Sequence, residues 1–156
     1  MATQSTTPVH SAGPIPAATA AAFGLKSLGL EPLETLAILG VLRNGLTWAQ
    51  MLAFQRAAGF SAEEMAAFLE LPERTFARRR STGRFSTGES EKLLRLMEIH
   101  ESALRLFDGD AVAVRTWLTA PVRGLGNARP IDYAQSDFGA REVRNLLGRL
   151  EHGVFS

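Results

Sequence analysis

Five arginines crowd into residues 72–84, namely Arg74, Arg78, Arg79, Arg80 and Arg84, against the single acid Glu73. A helix across this segment sets Arg74, Arg78 and Ser81 at i, i+4 and i+7 on one outward stripe, with Arg79 and Arg80 to its flanks. Guanidinium forks match guanine edges and phosphate oxygens, so the chemistry on offer is nucleic-acid recognition. The stripe, with Thr75 beside it, would face bases, and Arg79 and Arg80 would reach phosphates. Phe76 is the only large apolar residue of the segment. It should turn to the core near Met65 and Leu69 and so fix which face the arginines show. The alternative for such a cluster is a solvated arginine face on a helical bundle.

Other chemistry is hard to assemble. His10, His100 and His152 are far apart and share no metal-ligand spacing with one another or with a carboxylate cluster. His100, on an otherwise apolar helix face, reads as a core or boundary residue. Glu63-Glu64 and Glu89-Glu91 fall in helix first turns, where free N–H groups and the helix dipole account for them. Arg123-Gly124-Leu125-Gly126 lacks the pattern of a phosphate-binding loop and follows no strand. Cysteine is absent, which removes disulfides, thiolate nucleophiles and thiolate metal sites. No catalytic residue, metal site or cofactor is expected, and the chain reads as a binding protein rather than an enzyme.

The arginine stripe needs a scaffold, and local signals supply one. Ser61-Ala62-Glu63-Glu64 is a capping box that starts a short helix to Leu69. Glu70-Leu71 makes a tight turn, Pro72 suits the first turn of the next helix, and Gly83 closes it. Helix, turn and helix have the dimensions of a helix-turn-helix, although the turn carries Glu70 where many such motifs place Gly, and a side chain at positive φ is strained there. Upstream, a helical pattern runs from Glu31 through Leu33, Leu36, Ala37 and Gly40 to Asn44-Gly45. Thr47 then caps a helix over about 48–58. A second capping box, Ser86 to Glu89, opens the longest run, with Leu93, Leu96, Met97, His100, Leu104 and Phe107 on one face and Leu94 and Leu106 outside it. That excess of apolar circumference predicts a homodimer. Asp110 caps a short helix ending in Trp117-Leu118, a Pro, Gly and Arg-rich loop follows, and a last helix runs from about Asp137 to near Gly153.

The expected fold is therefore all-α: a helix-turn-helix module followed by a small helical domain. Residues 1–28, rich in Ala, Thr, Ser and Pro, read as a disordered tail that can be deleted without loss of folding, 29–85 as the helix-turn-helix domain, and 86–156 as the C-terminal domain. The length of 156 residues suits two small helical units sharing an interface. No stretch approaches the roughly 20 apolar residues that span a bilayer, and the first 25 residues carry no Lys or Arg to begin a signal peptide. A cytoplasmic protein without membrane contact is expected.

Taken in order, Pro72-Glu73-Arg74-Thr75-Phe76-Ala77-Arg78-Arg79, Gly83, Ser86, Glu89-Ser90 and Leu93-Leu94-Arg95, then Ala103, Phe107, Ala113, Trp117-Leu118, Pro121, Leu125-Gly126, Pro130, Gly139, Val143, Leu147 and Gly153 resemble the Xre/MbcA/ParS-type antitoxins over about residues 31–156. Phe76 stands where that family usually has Leu. The resemblance implies the antitoxin of a type II toxin–antitoxin pair, a dimer that binds and occludes a RES-domain, NAD-consuming toxin through its C-terminal domain and represses its own operon by holding operator DNA. A stand-alone helix-turn-helix regulator with a C-terminal dimerisation domain is the alternative. For the toxin contact, the loop and chain-end residues Arg123, Arg129, Tyr133, Glu151, His152, Val154, Phe155 and Ser156 are the candidates, because polar and aromatic groups there are the ones left accessible. Trp117, Leu118, Leu125 and Pro130 are assigned to packing.

Overall fold

The computed structural model describes the backbone of residues 35–153, with side chains from Leu39 onward. The expectations for the 1–28 tail, the helix start at Glu31, Leu33, the side chains of Leu36 and Ala37, and Val154, Phe155 and Ser156 lie outside the described residues. Eight α-helices follow one another in the described chain: α1 (Thr35–Asn44), α2 (Trp48–Ala58), α3 (Ala62–Phe68), α4 (Glu73–Thr82), α5 (Thr87–Leu106), α6 (Ala111–Thr119), α7 (Pro130–Tyr133) and α8 (Asp137–Glu151), with a 3-10 turn at Arg123–Leu125. Among the described residues no strand forms; the β-type pairing is confined to two isolated bridges, Thr47 with Arg84 and Val122 with Ala128.

The helix starts are where the capping residues stand. Thr47 with Gln50, Ser61 with Glu64, and Ser86 with Glu89 each form a reciprocal capping box, and Asp110 accepts from the Ala113 N–H. Each box satisfies two of the N–H groups that a helix leaves free at its start. α3 ends differently. Leu71 N–H bonds back to Ala66 O and Glu70 N–H to Ala67 O, with Glu70 itself left-handed at φ 55°. That pair of bonds is the Schellman closure, usually made with Gly at the left-handed position. The strain expected of a turn without Gly therefore falls on Glu70, whose carboxylate is paired with Lys92 of α5.

A short backbone seam ties the α1–α2 loop to the α4–α5 loop. Phe85 N–H donates to Leu46 O at 2.9 Å, Trp48 N–H to Gly83 O at 2.8 Å, and Leu46 N–H to the buried Ser90 Oγ at 2.8 Å. Gly45 permits this approach, since its φ is 76° and a Cβ there would lie 2.1 Å from Phe85 O. Over the seam sit three rings. Phe76 meets Trp48 edge-on at 5.0 Å, and Trp48 stacks on Phe85 at 5.8 Å. Phe76 thus turns inward as its isolation in the sequence predicts, and its ring partners are Trp48 and Phe85.

α5 is the spine. It packs most extensively on α8 and also touches α1, α2 and α6. The expected outward position of Leu94 is wrong: Leu94 is buried, and Leu106 is half-buried against the same core. The helices wrap α5 on more sides than one stripe, so a single chain covers what had suggested a dimer. His100 lies at the centre of this spine. It is buried with its ring edge-on to Phe54 at 5.3 Å, and neither ring nitrogen has a hydrogen-bond partner. Burial pushes its pKa down to about 4.

Candidate DNA-reading and toxin-binding surfaces

α4 is the second helix of the helix-turn-helix and rests on one apolar anchor, Phe76. With that ring inward, Arg74, Arg78, Arg80 and Ser81 are exposed and Thr75 is half-buried. The structure thus brings the three stripe residues onto one open face. Arg79, expected at a phosphate, is half-buried and already paired within the chain. Its Nε and Nη2 donate to the two carboxylate oxygens of Glu89, each at 2.8 Å, and this hydrogen bond raises the Arg79 pKa. Burial alone would push the Glu89 carboxyl up, but the Arg79 guanidinium and the Ser86 N–H outweigh it and hold it below its ordinary value. Arg79 is therefore committed to orienting α4 on the start of α5. Arg84, beyond the helix, donates to the carbonyls of Asn44 and Gly45 and steadies the seam.

In the C-terminal part, the Arg123–Leu125 turn lies against the middle of α8, so close that a Cβ on Gly124 would stand 2.9 Å from Leu146 Cδ1. Arg123 is exposed on that turn. Arg129 is exposed too, but its Nε and Nη2 bond to Asp132 at 2.8 and 2.9 Å, which raises its pKa. Tyr133 packs half-buried against the core, and Glu151 and His152 stand exposed at the end of α8. The turn that carries Arg123 and the short α7 that carries Tyr133 both pack on α8, whereas Glu151 and His152 stand at its C-terminal end. Leu118, Leu125 and Pro130 are buried and Trp117 packs beside Phe107 at 6.3 Å, as their packing assignment requires.

One polar strut that the sequence reading did not reveal joins the two parts, and two more hold α5 to the elements that follow it. From α6, Arg115 donates through Nε to Gly59 O at 2.7 Å and through Nη2 to Glu64 at 2.8 Å. Arg95 of α5 donates to Gln135 O at 3.2 Å, and Arg144 of α8 to Glu98 at 3.2 Å. Their partners lie 40 to 56 residues away in the chain, beyond the reach of any local pattern.

Two family profiles match this chain one after the other, from residue 37 to residue 153. The profile of the Antitoxin Xre-like helix-turn-helix domain covers residues 37–98, and that of the Antitoxin Xre/MbcA/ParS C-terminal toxin-binding domain covers residues 102–153. An Antitoxin Xre from Yersinia enterocolitica is 33% identical over 132 residues, spanning 84% of this chain and 89% of the relative. The chain belongs to the Xre antitoxins. An Antitoxin Xre from Photorhabdus laumondii, 32% identical over 117 residues, spans 74% of this antitoxin and 79% of its own length. The family supplies what the geometry alone does not: this is the antitoxin of a toxin–antitoxin pair, all-helical, with a helix-turn-helix domain ahead of a toxin-binding domain. Among the described residues of the antitoxin, no helix is long and apolar enough to cross a membrane.

Proposed function

We propose that this antitoxin binds and occludes a RES-type, NAD-consuming toxin through its C-terminal domain, and represses its own operon by placing α4 in the major groove of operator DNA. It works by binding and not by catalysis, in the cytoplasm. Domain limits of 29–85 and 86–156 are kept, with Arg123, Glu151 and His152 as accessible toxin contacts and Arg129, half exposed beside Asp132, offering its Nη1 as well.

The observation that carries the DNA reading is the division of labour on α4: Arg79 is held by Glu89, while Arg74, Arg78 and Ser81 share an exposed face and Arg80 is exposed to one side. A helix oriented by an internal ion pair presents free guanidinium forks in a fixed direction, as base readout requires. The toxin reading rests on the family's toxin-binding domain. Two measurements test the whole. Co-expression with the adjacent gene should yield a complex whose mass shows the toxin and the copy number of the antitoxin. In a promoter-fragment shift assay, Arg78→Ala should cost roughly 1–3 kcal/mol at the preferred site with no change in folding. A wild-type antitoxin that shifts no fragment of its promoter, with or without toxin, would reduce α4 to scaffold. The family resemblance still implies a homodimer, and a single antitoxin in the purified complex would overturn it.

A further inference from the structure

Among the described residues, α8 has a face that nothing covers. Val143, Leu146 and Leu147 turn inward and are buried. On the opposite side Phe138, Arg141, Asn145, Gly148 and His152 follow at i, i+3, i+7, i+10 and i+14, within less than a quarter of the circumference at about 100° per residue. Phe138 is 64% exposed, an unusual state for so large a ring, with the Arg141 guanidinium 5.7 Å over its face. Towards the C-terminal half the same side sinks into a shallow groove of about 420 Å³, lined by Arg144, Asn145, Gly148, Arg149 and His152. The acids of α8, Asp137, Glu142 and Glu151, are not among the lining residues.

Gly148 is the informative residue. It stands in the middle of a regular helix, where glycine is less favourable than alanine, and an added Cβ would meet nothing within 4 Å. No contact among the described residues therefore needs a glycine at this point. What the missing side chain does is flatten the floor of the groove between Arg144 and Arg149. Close backbone approach by another molecule is the ordinary use of such a position.

We propose that this groove receives a carboxylate-bearing segment of the cognate toxin, with the segment's backbone passing over Gly148, its carboxylate held by Arg149 and its apolar part lying towards Phe138. The occupant follows from the chemistry of the lining. Arg149 and the His152 imidazole are the lining donors open to an anionic group, since Arg144 is bonded to Glu98 and no acid lines the groove, and guanidinium is suited to grip a carboxylate in two places. An exposed aromatic ring on the same face favours a protein segment over a nucleic-acid backbone, because aromatic and arginine side chains together mark protein-binding surfaces. This deepens the toxin-binding reading and rests on it. The groove differs from the loop contacts expected at Arg123 and Arg129, and of the sequence-derived candidates it contains His152 alone.

The test uses the full-length antitoxin and the purified toxin encoded beside it, with binding measured by calorimetry and folding by circular dichroism. Arg149→Glu should weaken the complex by roughly tenfold or more, with a loss that shrinks as salt rises. Gly148→Trp should do the same at every salt concentration by filling the floor. Gly148→Ala should raise the melting temperature by a few degrees, which establishes that glycine is not there for folding. If Gly148→Trp disturbs the helical spectrum, Arg149→Glu and its rescue by Arg149→Lys carry the test. Wild-type affinity in both Arg149→Glu and Gly148→Trp overturns the groove while leaving toxin binding intact. Failure of the wild-type antitoxin to bind the toxin overturns the toxin reading and this proposal with it. Weakened promoter binding with unchanged toxin binding in Arg149→Glu would make the groove a nucleic-acid contact and overturn the proposal as well.

Discussion

α4 and α8 are both arginine-bearing helices, and each is pinned to α5 by one arginine reaching one glutamate, yet the two pins are of different kinds. Arg79 and Glu89 are joined by two short bonds and are mostly shielded from water, at 22% and 11% exposure. Arg144 and Glu98 make a single contact of 3.2 Å, at 34% and 30% exposure. Burial pushes the Glu98 carboxyl up despite Arg144, while Glu89 is held down by its partners. The difference follows the apolar content of the helices. α8 has Val143, Leu146 and Leu147 to seat it and can leave its ion pair loose, whereas α4 has only Phe76. A helix with a poor apolar face needs a shielded, two-pronged ion pair to fix its roll, and the roll of α4 decides which arginines face outward.

The largest expected effect comes from removing α4's one anchor. Phe76→Ala should cost roughly 3–5 kcal/mol in urea denaturation, as for other buried aromatic truncations. A cost under about 1 kcal/mol would mean that the Arg79–Glu89 pair seats α4 without help from an apolar anchor.

Next in size is the behaviour of the shared spine in acid. His100 titrates near 6.5 when unfolded and near 4 in the fold. The unfolded chain therefore binds the proton first as pH falls, and stability present above pH 6.5 drains away down to pH 4, by about 3 kcal/mol at most. The depressed Glu89 carboxyl acts in the same direction at lower pH, since its contribution is lost as pH falls through its folded pKa. Equilibrium unfolding across this range should show the decline, and His100→Leu should flatten its upper part. A parallel decline in His100→Leu would locate the acid sensitivity elsewhere.

The smallest effect separates the two pins directly. Arg79→Ala leaves a shielded Glu89 without its guanidinium and should cost roughly 1–3 kcal/mol. Arg144→Ala, with its partner more open to water, should cost under about 1 kcal/mol. Equal losses would show that exposure does not distinguish them.

Much of the fold was legible because its decisive signals are local. A capping box spans four residues, and each box read from the sequence stands where expected. The hydrophobic period of α8 and the isolation of Phe76 were equally visible. What escaped depends on partners distant in sequence. Glu89 had been accounted for by its cap alone, yet the same carboxylate also holds Arg79 across a turn. Leu94 was misplaced because a helical wheel assumes one buried side, while α5 is enclosed on several. The four-residue α7 carries too few positions to show a period. As for the candidate surfaces, the α4 stripe could be read from spacing, whereas the α8 groove could not, since a glycine inside a helix announces itself only when the space above it is known to be empty.

The match to the helix-turn-helix profile ends at residue 98 and the match to the toxin-binding profile begins at 102, and both points fall inside α5, an unbroken helix of 20 residues. No flexible joint separates the two halves there; a rod roughly 30 Å long runs through both. Their mutual orientation is thus a matter of angular phase. Adding one residue near position 100 would turn the toxin-binding half by about 100° relative to the DNA-reading half, and only additions close to whole turns, such as seven residues, would bring the two back into line. Exchange of either half between relatives is constrained in the same way: the junction must keep helical register, whatever the sequences on its two sides.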